Sequence, residues 1–447
     1  MADYTQQISQ LLLADPQSQT EIARALSISQ PSVSIIMRGN PMLFLKTGNA
    51  RATRYYLRRP VHGQSCWPVY RVTAQGKAEL FATLYSVYPQ GFAYLLHERM
   101  EWAYTDSLPW WMDDMRPQGF IGRALMRSQP VAGLPDDLNA LHDEDVLQIL
   151  LHCPLDSVGN LLVGEQAYRM WLERQPVEPI TEQTFLPIAV QAMAGWTGGS
   201  SAGGEQPKFL AQVAGHAVPC LIKFSAQLED GNRAANRWAD LLRAEHLALQ
   251  ILAGSGIAAA TSWIVDHQAN GIRRTFLCVE RFDRTAQDGR RGLVSLRVLD
   301  AEFTASRERR WPLVVANLAA EGVIRTDDVP LVTTVYCYGK LIGNSDMHSG
   351  NLSFFLDGVR PLALAPIYDM LPMALSPVAG EVPQGLPTIT IDSDIKGEYW
   401  RNALPLAIQF WTQLAQEVSI DPSFRQLGVG MLERLQTQIA PLIDRMV

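Results

Sequence analysis

The chain is poor in cysteine and has no long apolar run. Its five cysteines (Cys66, Cys153, Cys220, Cys278 and Cys337) are scattered through 447 residues with no CxxC spacing, which argues against a disulfide framework and a thiolate metal site. The eight histidines contain no HExxH pair, so the zinc-protease pattern is missing too. Buried thiols are the expectation. No stretch reaches the roughly 18 consecutive apolar residues that a spanning helix needs. The opening MADYTQQISQ has neither a basic n-region nor an apolar h-region. The expected address is therefore the cytoplasm, with no membrane partner. No internal repeat or low-complexity tract appears, and 47% hydrophobic residues are material for two or three cores of ordinary size.

A net charge of −7 speaks against a polyanion partner for the chain as a whole, but the charge is unevenly spread. Residues 1–80 hold nine Lys and Arg against four acids, an excess of five positive charges that leaves −12 for the remainder. That asymmetry predicts a basic module on an acidic body.

Within the basic module, QTEIARALSISQPSVSIIMRG (Gln19 to Gly39) places Ile22, Ala23 and Leu26 on one helical face, Ile28 in a turn, and Val33 with Ile36 on the face of a second helix. Ser29 or Gln30 suits the cap of that second helix and Pro31 its first turn. This is a helix-turn-helix pattern, with Ser27 where such turns favour glycine. The outer face of the second helix would show Gln30, Ser34 and Arg38 at i, i+4 and i+8, side chains able to reach base edges or phosphates. KTGNARATRYYLRR (Lys46–Arg59) then predicts a β-ribbon whose tip carries Arg51 and Arg54, and WPVYRVTAQGKAEL (Trp67–Leu80) a following helix. A winged helix that binds double-stranded DNA fits these features. A small helical protein-contact domain uses similar patterns. Residues 81–119, rich in aromatics (Trp102, Tyr104, Trp110, Trp111), predict a packed connector, because exposed large aromatics would solvate poorly.

The second half carries chemistry. In TGGSSAGGEQPKFL (Thr197–Leu210), Gly198, Gly199, Gly203 and Gly204 surround Ser200 and Ser201, with Lys208 beyond. Glycines let backbone N–H groups approach phosphate oxygens. The Walker A order is absent, and a plain turn has the same composition. VPCLIKFS (Val218–Ser225) predicts a strand that brings up Lys223, either to a nucleotide as in kinases or simply to solvent. The segment from Asn232 to Ile257 has helical spacing, with Trp238, Leu241, Leu242, Leu249 and Leu252 inward, and puts Glu245 where it could pair with Lys223 and orient it toward phosphate. TFLCVERFDR (Thr275–Arg284) predicts a strand ending at Glu280, Arg281 and Phe282, where backbone groups could hold an adenine edge.

GNSDMHSGNL (Gly343–Leu352) then separates Asp346 from Asn351 by five residues, the D-x-x-x-x-N spacing of a kinase catalytic loop. The spacing has a chemical reason. An aspartate must sit beside the attacking hydroxyl to take its proton, while an asparagine oxygen one short loop later reaches the metal that neutralises the phosphates. LALAPIYDMLP (Leu362–Pro372) delivers Asp369 at the end of an apolar run, where kinases keep a Mg2+-holding aspartate. A single Asp-rich turn is usually capping or solvation, but here loop, Lys, Glu, DxxxxN and Asp follow one another in kinase order.

The segments SSAGGEQPK, VERFDR, GNSDMHSGN and PIYDM together resemble the HipA family of serine/threonine kinase toxins, over roughly residues 115–440. The resemblance implies an α+β, bilobal kinase-like fold that uses ATP with Mg2+ and phosphorylates serine in proteins such as an aminoacyl-tRNA synthetase. It implies Asp346 as catalytic base, Asn351 and Asp369 as metal ligands, Lys223 as phosphate-positioning lysine, and Glu280 with Phe282 as hinge. Ser201, with Ser200 beside it, matches a loop serine that members autophosphorylate, and His348 a motif histidine with a structural role.

The expected organisation is a winged helix at 1–85, a connector at 86–119, a first kinase lobe at 120–284 and a helical second lobe at 285–447. An antitoxin is a candidate partner, although a chain with its own DNA-binding module departs from toxins that reach DNA through a separate antitoxin. Two other readings stay open. One is a small-molecule phosphotransferase of the aminoglycoside type, whose loop also reads D-x-H-x-G-N. The other is a transcriptional regulator with a nucleotide-sensing kinase-like domain.

Overall fold

The computed structural model describes residues 2–49, 52–128, 131–152, 156–193 and 206–446. The chain divides into two compact units, Met1–Pro117 with Leu125–Gln175, and Gln118–Ala124 with Pro176–Val447.

The first unit opens with α1 (Ala2–Ala14), α2 (Gln19–Ala25) and α3 (Gln30–Gly39), followed by an antiparallel ribbon of β1 (Phe44–Thr47) and β2 (Arg54–Leu57). Ser18 starts α2 in a reciprocal capping box with Glu21, and Ser29 caps α3 by accepting the Ser32 N–H, with Pro31 in the first turn. Ser27 takes φ +54° in the turn, the conformation for which glycine is the default. Ile22, Ala23, Val33 and Ile36 pack with Ile8, Leu12, Phe44 and Tyr55, and Leu26 and Ile28 close the cluster. The inward faces expected of both helices are thus observed. The preceding helix α1 was not expected, although Ile8 and Leu12 lie at i, i+4.

The helix expected over Trp67–Leu80 is not formed. β3 (Cys66–Val72) and β4 (Ala78–Ser86) occupy that stretch, reversing at Gly76 with φ +77°. Trp67, Val69 and Val72 turn inward along β3, an alternation with a register shift at Val69/Tyr70 that concealed the period of two. The stretch expected as a connector supplies β5 (Phe92–Leu96) and β6 (Glu101–Thr105), then a 3-10 turn at Trp110–Met115. Trp111 is buried edge-on to Phe81 and Tyr94. α4 (Gly119–Ser128) begins in the second unit and ends in the first, which continues through α5 (Asp143–His152), β7 (Leu161–Val163) and α6 (Gly164–Glu173). β7 hydrogen-bonds to β3, giving the antiparallel sheet order β6-β5-β4-β3-β7. Strand pairing across some ninety residues therefore draws Leu125–Gln175 into this unit, where the sequence had suggested the start of a kinase lobe.

The second unit contains α7 (Phe185–Met193), then the sheet order β10-β11-β9-β8, built from β8 (Lys208–Ala211), β9 (Cys220–Phe224), β10 (Ser262–Ala269) and β11 (Ile272–Glu280). Between β9 and β10 runs α8 (Arg233–Gly254), whose Leu241, Leu242, Leu249 and Leu252 are buried as the spacing predicts. Trp238 is only half-buried, and its neighbour Arg237 lies inside instead. Phe185, Phe209, Ile222, Phe224 and Phe276 fill one face of the sheet, while Leu242 of α8 meets Leu277 and Val279 on the other.

A small sheet of β12 (Leu293–Ser295), β13 (Ser353–Phe355) and β14 (Ala363–Leu364) then carries the two polar loops of interest. The α-helices that follow β11 are α9 (Leu296–Phe303), α10 (Trp311–Ala320), α11 (Asp328–Leu341), α12 (Gly397–Gln416), α13 (Pro422–Arg434) and α14 (Ala440–Asp444). Trp400, Phe410 and Trp411 of α12 are fully buried. Cys220, Cys278 and Cys337 are buried thiols as expected; Cys66 is half-exposed and Cys153 lies outside the described residues. No helix among the described residues is long and apolar enough to cross a membrane.

Candidate active site

β8 and β9 pair in the register Lys208↔Lys223, so two lysines stand side by side on one face of the sheet. Lys223 is 5% exposed and reaches the opposing helix α8, donating to both oxygens of Glu245 at 2.8 and 2.9 Å. It also bonds the Asp369 carboxylate. Burial alone would lower the Lys223 pKa, but Asp369 and Glu245 hold it above its ordinary value. Burial raises Glu245, against the opposing pull of Lys223. Asp369 is driven up by burial and more than brought back by Lys223 and Lys208, so its carboxyl sits below its usual range. Lys208, lowered by burial and by the like charge of Lys223, is the second cation at this point.

The loop Gly343–Asn351 follows α11 directly. Asn344 accepts the Asp346 N–H through its side-chain oxygen at 3.0 Å. The Asn351 amide nitrogen donates to the Asp346 carbonyl at 2.9 Å, leaving the amide oxygen, the atom a hard cation prefers, outside that bond. His348 caps the 3-10 turn Ser349–Asn351 by accepting the Gly350 N–H at 3.0 Å, and its carbonyl accepts from the Trp311 indole at 3.1 Å. Its Nε2 also stands 4.0 Å from the Asp346 carboxylate. Burial raises the Asp346 pKa; His348 opposes the rise and Asp369 adds to it. A carboxylate lifted in this way is suited to accepting a proton.

Asp369 sits at φ +53°, a left-handed conformation that non-glycine residues adopt only when their surroundings impose it. Tyr368, one residue earlier, donates to the Gly350 carbonyl at 2.8 Å, and its hydroxyl is also 2.8 Å from that of Ser353. The Phe282 ring packs against Tyr368 at 5.6 Å between centroids.

The sequence-derived set thus meets unevenly. Lys208, Lys223, Glu245, Asp346, His348, Asn351 and Asp369 form one linked group through the contacts above. The Glu280 side chain goes elsewhere, to His216 Nδ1 at 3.0 Å, and that imidazole stacks flat on Trp263 at 3.8 Å. Its backbone N–H is taken by the Thr261 carbonyl at 2.9 Å. Ser200, Ser201, Gly203 and Gly204 lie outside the described residues, as does Arg51. Asn344, Tyr368 and Trp311 escaped the sequence reading. Asn344 was in plain view inside GNSD, but nothing in the spacing says that its side chain is buried.

Among the described residues, no group of three or more His, Cys, Asp or Glu side chains could hold a metal ion by itself. Asp369 and Asn351 nevertheless present a carboxylate and an amide, and Mg2+ characteristically takes one or two protein oxygens and completes its shell with phosphate and water. The donor set therefore fits Mg2+ brought in with a nucleotide, and the paired lysines fit its phosphates.

In the first unit, Arg38 folds back on Ser34, its Nη2 donating to the hydroxyl at 2.9 Å. Gln30 donates to Thr20 at 3.2 Å, and Arg54 pairs with Glu21 at 2.9 Å across the helix–ribbon junction. Arg38 and Arg54 are exposed and lie in the module that carries the positive excess.

Comparison with known proteins divides the chain in a similar way. A family model described as the YjjJ-like toxin middle domain matches residues 63–172, and one described as the HipA-like C-terminal domain matches residues 200–439. Toxin YjjJ of Escherichia coli (strain K12) is 38% identical over 448 residues, spanning 98% of this chain and 99% of that protein. Among solved structures, HipA of Shewanella oneidensis MR-1, determined with HipB and its operator DNA, aligns with a TM-score of 0.57. That match covers 85% of this chain and 100% of the other at 17% identity, and it extends to fold alone.

Proposed function

The chain belongs to the HipA-like toxin family, and on that premise we propose that it is an ATP- and Mg2+-dependent serine/threonine protein kinase whose first unit binds DNA. The observation that carries the kinase reading is the buried Lys223, shared between Glu245 and Asp369 next to the loop that holds Asp346 and Asn351.

In this reading Lys223, oriented by Glu245, contacts the nucleotide phosphates, and Lys208 adds a second positive charge. Mg2+, held by Asp369 and Asn351, would supply neutralisation of the charge on the transferring phosphoryl group. Asp346 takes the proton of the acceptor hydroxyl as the seryl oxygen bonds to the γ-phosphorus. The bond from that phosphorus to the bridging oxygen breaks, and ADP leaves. The backbone at Glu280 and Phe282 borders the adenine, and Ser201 or Ser200 is the autophosphorylation site.

The DNA reading is supported by the helix-turn-helix of α2 and α3 and the ribbon of β1 and β2, with Gln30, Ser34, Arg38, Arg51 and Arg54 as the proposed contacts. An antitoxin partner is proposed because the S. oneidensis HipA structure contains HipB.

The test is incubation of the purified chain with Mg2+ and γ-labelled ATP, alongside Asp346→Asn, followed by mapping of phosphoserine. Label that is present in the wild type and lost in the variant is expected. Equal label in both, or none in the presence of a broad panel of bacterial proteins, overturns the kinase reading.

A further inference from the structure

Asn344 has both ends of its side-chain amide engaged, and each end holds a different functional loop. Its oxygen accepts the backbone N–H of Asp346 at 3.0 Å. Its nitrogen donates to the backbone carbonyl of Asp369 at 3.3 Å, with the Met370 sulfur at 3.5 Å. The residue is 4% exposed, and its own N–H is taken by the Gly339 carbonyl at the end of α11 at 2.8 Å. A second link runs alongside, from the Ala374 N–H to the Gly343 carbonyl at 3.0 Å.

We infer that Asn344 is a positioning residue that sets the proton-accepting Asp346 and the metal-holding Asp369 relative to each other, an assignment that rests on the kinase reading above. The argument starts from the backbone of Asp369. Its φ of +53° is sparsely populated for a residue with a Cβ and persists only where neighbouring contacts dictate it. On one side Tyr368 is tied to Gly350, and on the other the Asp369 carbonyl is tied to Asn344. The direction of the Asp369 carboxylate, toward Lys223 and the phosphate end of the site, follows from that backbone. A buried primary amide suits the task because it accepts and donates at once, with the two functions about one side-chain width apart. Serine is too short to span both loops, and alanine offers neither group.

A purely structural asparagine would affect stability and leave the metal alone; a positioning one must move metal affinity. The experiment measures Mn2+ binding to the full chain by electron paramagnetic resonance in the presence of a non-hydrolysable ATP analogue, for the wild type, Asn344→Ala and Asn344→Ser. Tyr338→Phe is the control, since it removes one buried hydrogen bond, to the Ala248 carbonyl on α8, and none of those that tie Asn344 to Asp346 or Asp369. The expected result is a Mn2+ affinity about tenfold weaker in both Asn344 variants, the size of effect seen when outer-shell partners of a metal site are removed. The affinity for the metal-free analogue stays within about twofold, and Tyr338→Phe leaves both unchanged. In turnover, kcat falls while KM for ATP holds.

Should Asn344→Ala fail to fold, Asn344→Ser is read in the same assay. Mn2+ affinity within about twofold of wild type in either folded variant overturns the inference. A wild-type chain that binds the analogue but never Mn2+ overturns the kinase reading, and the role of Asn344 with it.

Discussion

Lys223 grips both carboxylate oxygens of Glu245, at 2.8 and 2.9 Å, although the two residues are 22 positions apart and belong to a strand and a helix. Both are nearly sealed from water, at 5% and 2% exposure. Buried charges of this kind persist only when paired, and the pairing fixes the lysine's direction as well as its protonation.

Removing the carboxylate alone leaves Lys223 with only the partly exposed Asp369. Glu245→Leu is expected to lower the unfolding free energy by about 3 kcal/mol, the cost of leaving a buried charge short of its partner. The double variant Lys223→Met/Glu245→Leu should recover part of that loss while remaining inactive. Urea unfolding of the three proteins checks this, and a double variant that is the least stable of the set contradicts it.

Tyr368→Phe deletes the hydroxyl that bonds Gly350 and Ser353 and keeps the ring against Phe282. The expected loss of stability is about 1 kcal/mol, that of one or two neutral hydrogen bonds. Turnover should drop more than nucleotide affinity, because the freed loop carries Asp346 and Asn351. Steady-state kinetics beside chemical denaturation separates the two effects.

Asp240 is a buried carboxyl on α8 that accepts the Asp421 N–H at 3.2 Å and has one oxygen with no hydrogen-bond partner. Burial pushes its pKa up to about 7, against the downward pull of the Asp421 N–H hydrogen bond and of Arg243 and Arg237, while the Asp421 charge adds to the rise. A carboxyl raised in the fold binds its proton more tightly there than in the unfolded chain. Its contribution to stability is therefore complete below the ordinary carboxylate value and lost as pH rises through 7. Asp240→Asn should accordingly gain on the wild type in thermal midpoint between about pH 5 and pH 8. Parallel pH profiles for the two proteins would contradict the assignment.

On the first unit, Arg38→Ala and Arg54→Ala should each weaken binding to duplex DNA selected from a random pool. If each arginine meets a phosphate, the slope of log affinity against log salt falls by about 0.9 per residue removed. Fluorescence anisotropy at several salt concentrations provides the slope. An unchanged slope in both variants removes these side chains from the interface.

The residues of the candidate site were legible because phosphoryl transfer, the chemistry proposed for them, demands particular residue types at particular separations. The Asp346–Asn351 interval spans one short loop, and its meaning survives any detail of packing. The helix-turn-helix was legible for a similar local reason: Ile22, Leu26, Val33 and Ile36 repeat at helical spacing beside Ser29 and Pro31. Trp67–Leu80 was misread because the register shift at Val69/Tyr70 broke the alternation, and because β7, the strand that pairs with β3 on the edge away from β4, lies about ninety residues later. Glu280 was expected to serve the hinge through its backbone; that its side chain turns to His216 was not legible, because no local pattern connects the two residues.

Taken by itself, the sequence determined the order and identity of the groups that could perform the chemistry, since composition and spacing along the chain are enough to specify loops, strand ends and helix faces. Tertiary structure alone decided which of those groups meet and what holds them. Lys223 finds Glu245 and Asp369 only after β9, α8 and the segment following β14 pack together, and Asn344 reaches Asp369, 25 positions away along the chain. The physical reason is one of range. Backbone propensities and side-chain periods act over a few residues, whereas burial, charge pairing and the hydrogen-bond demand of a buried amide are settled by whatever the whole fold brings within 3 Å or so.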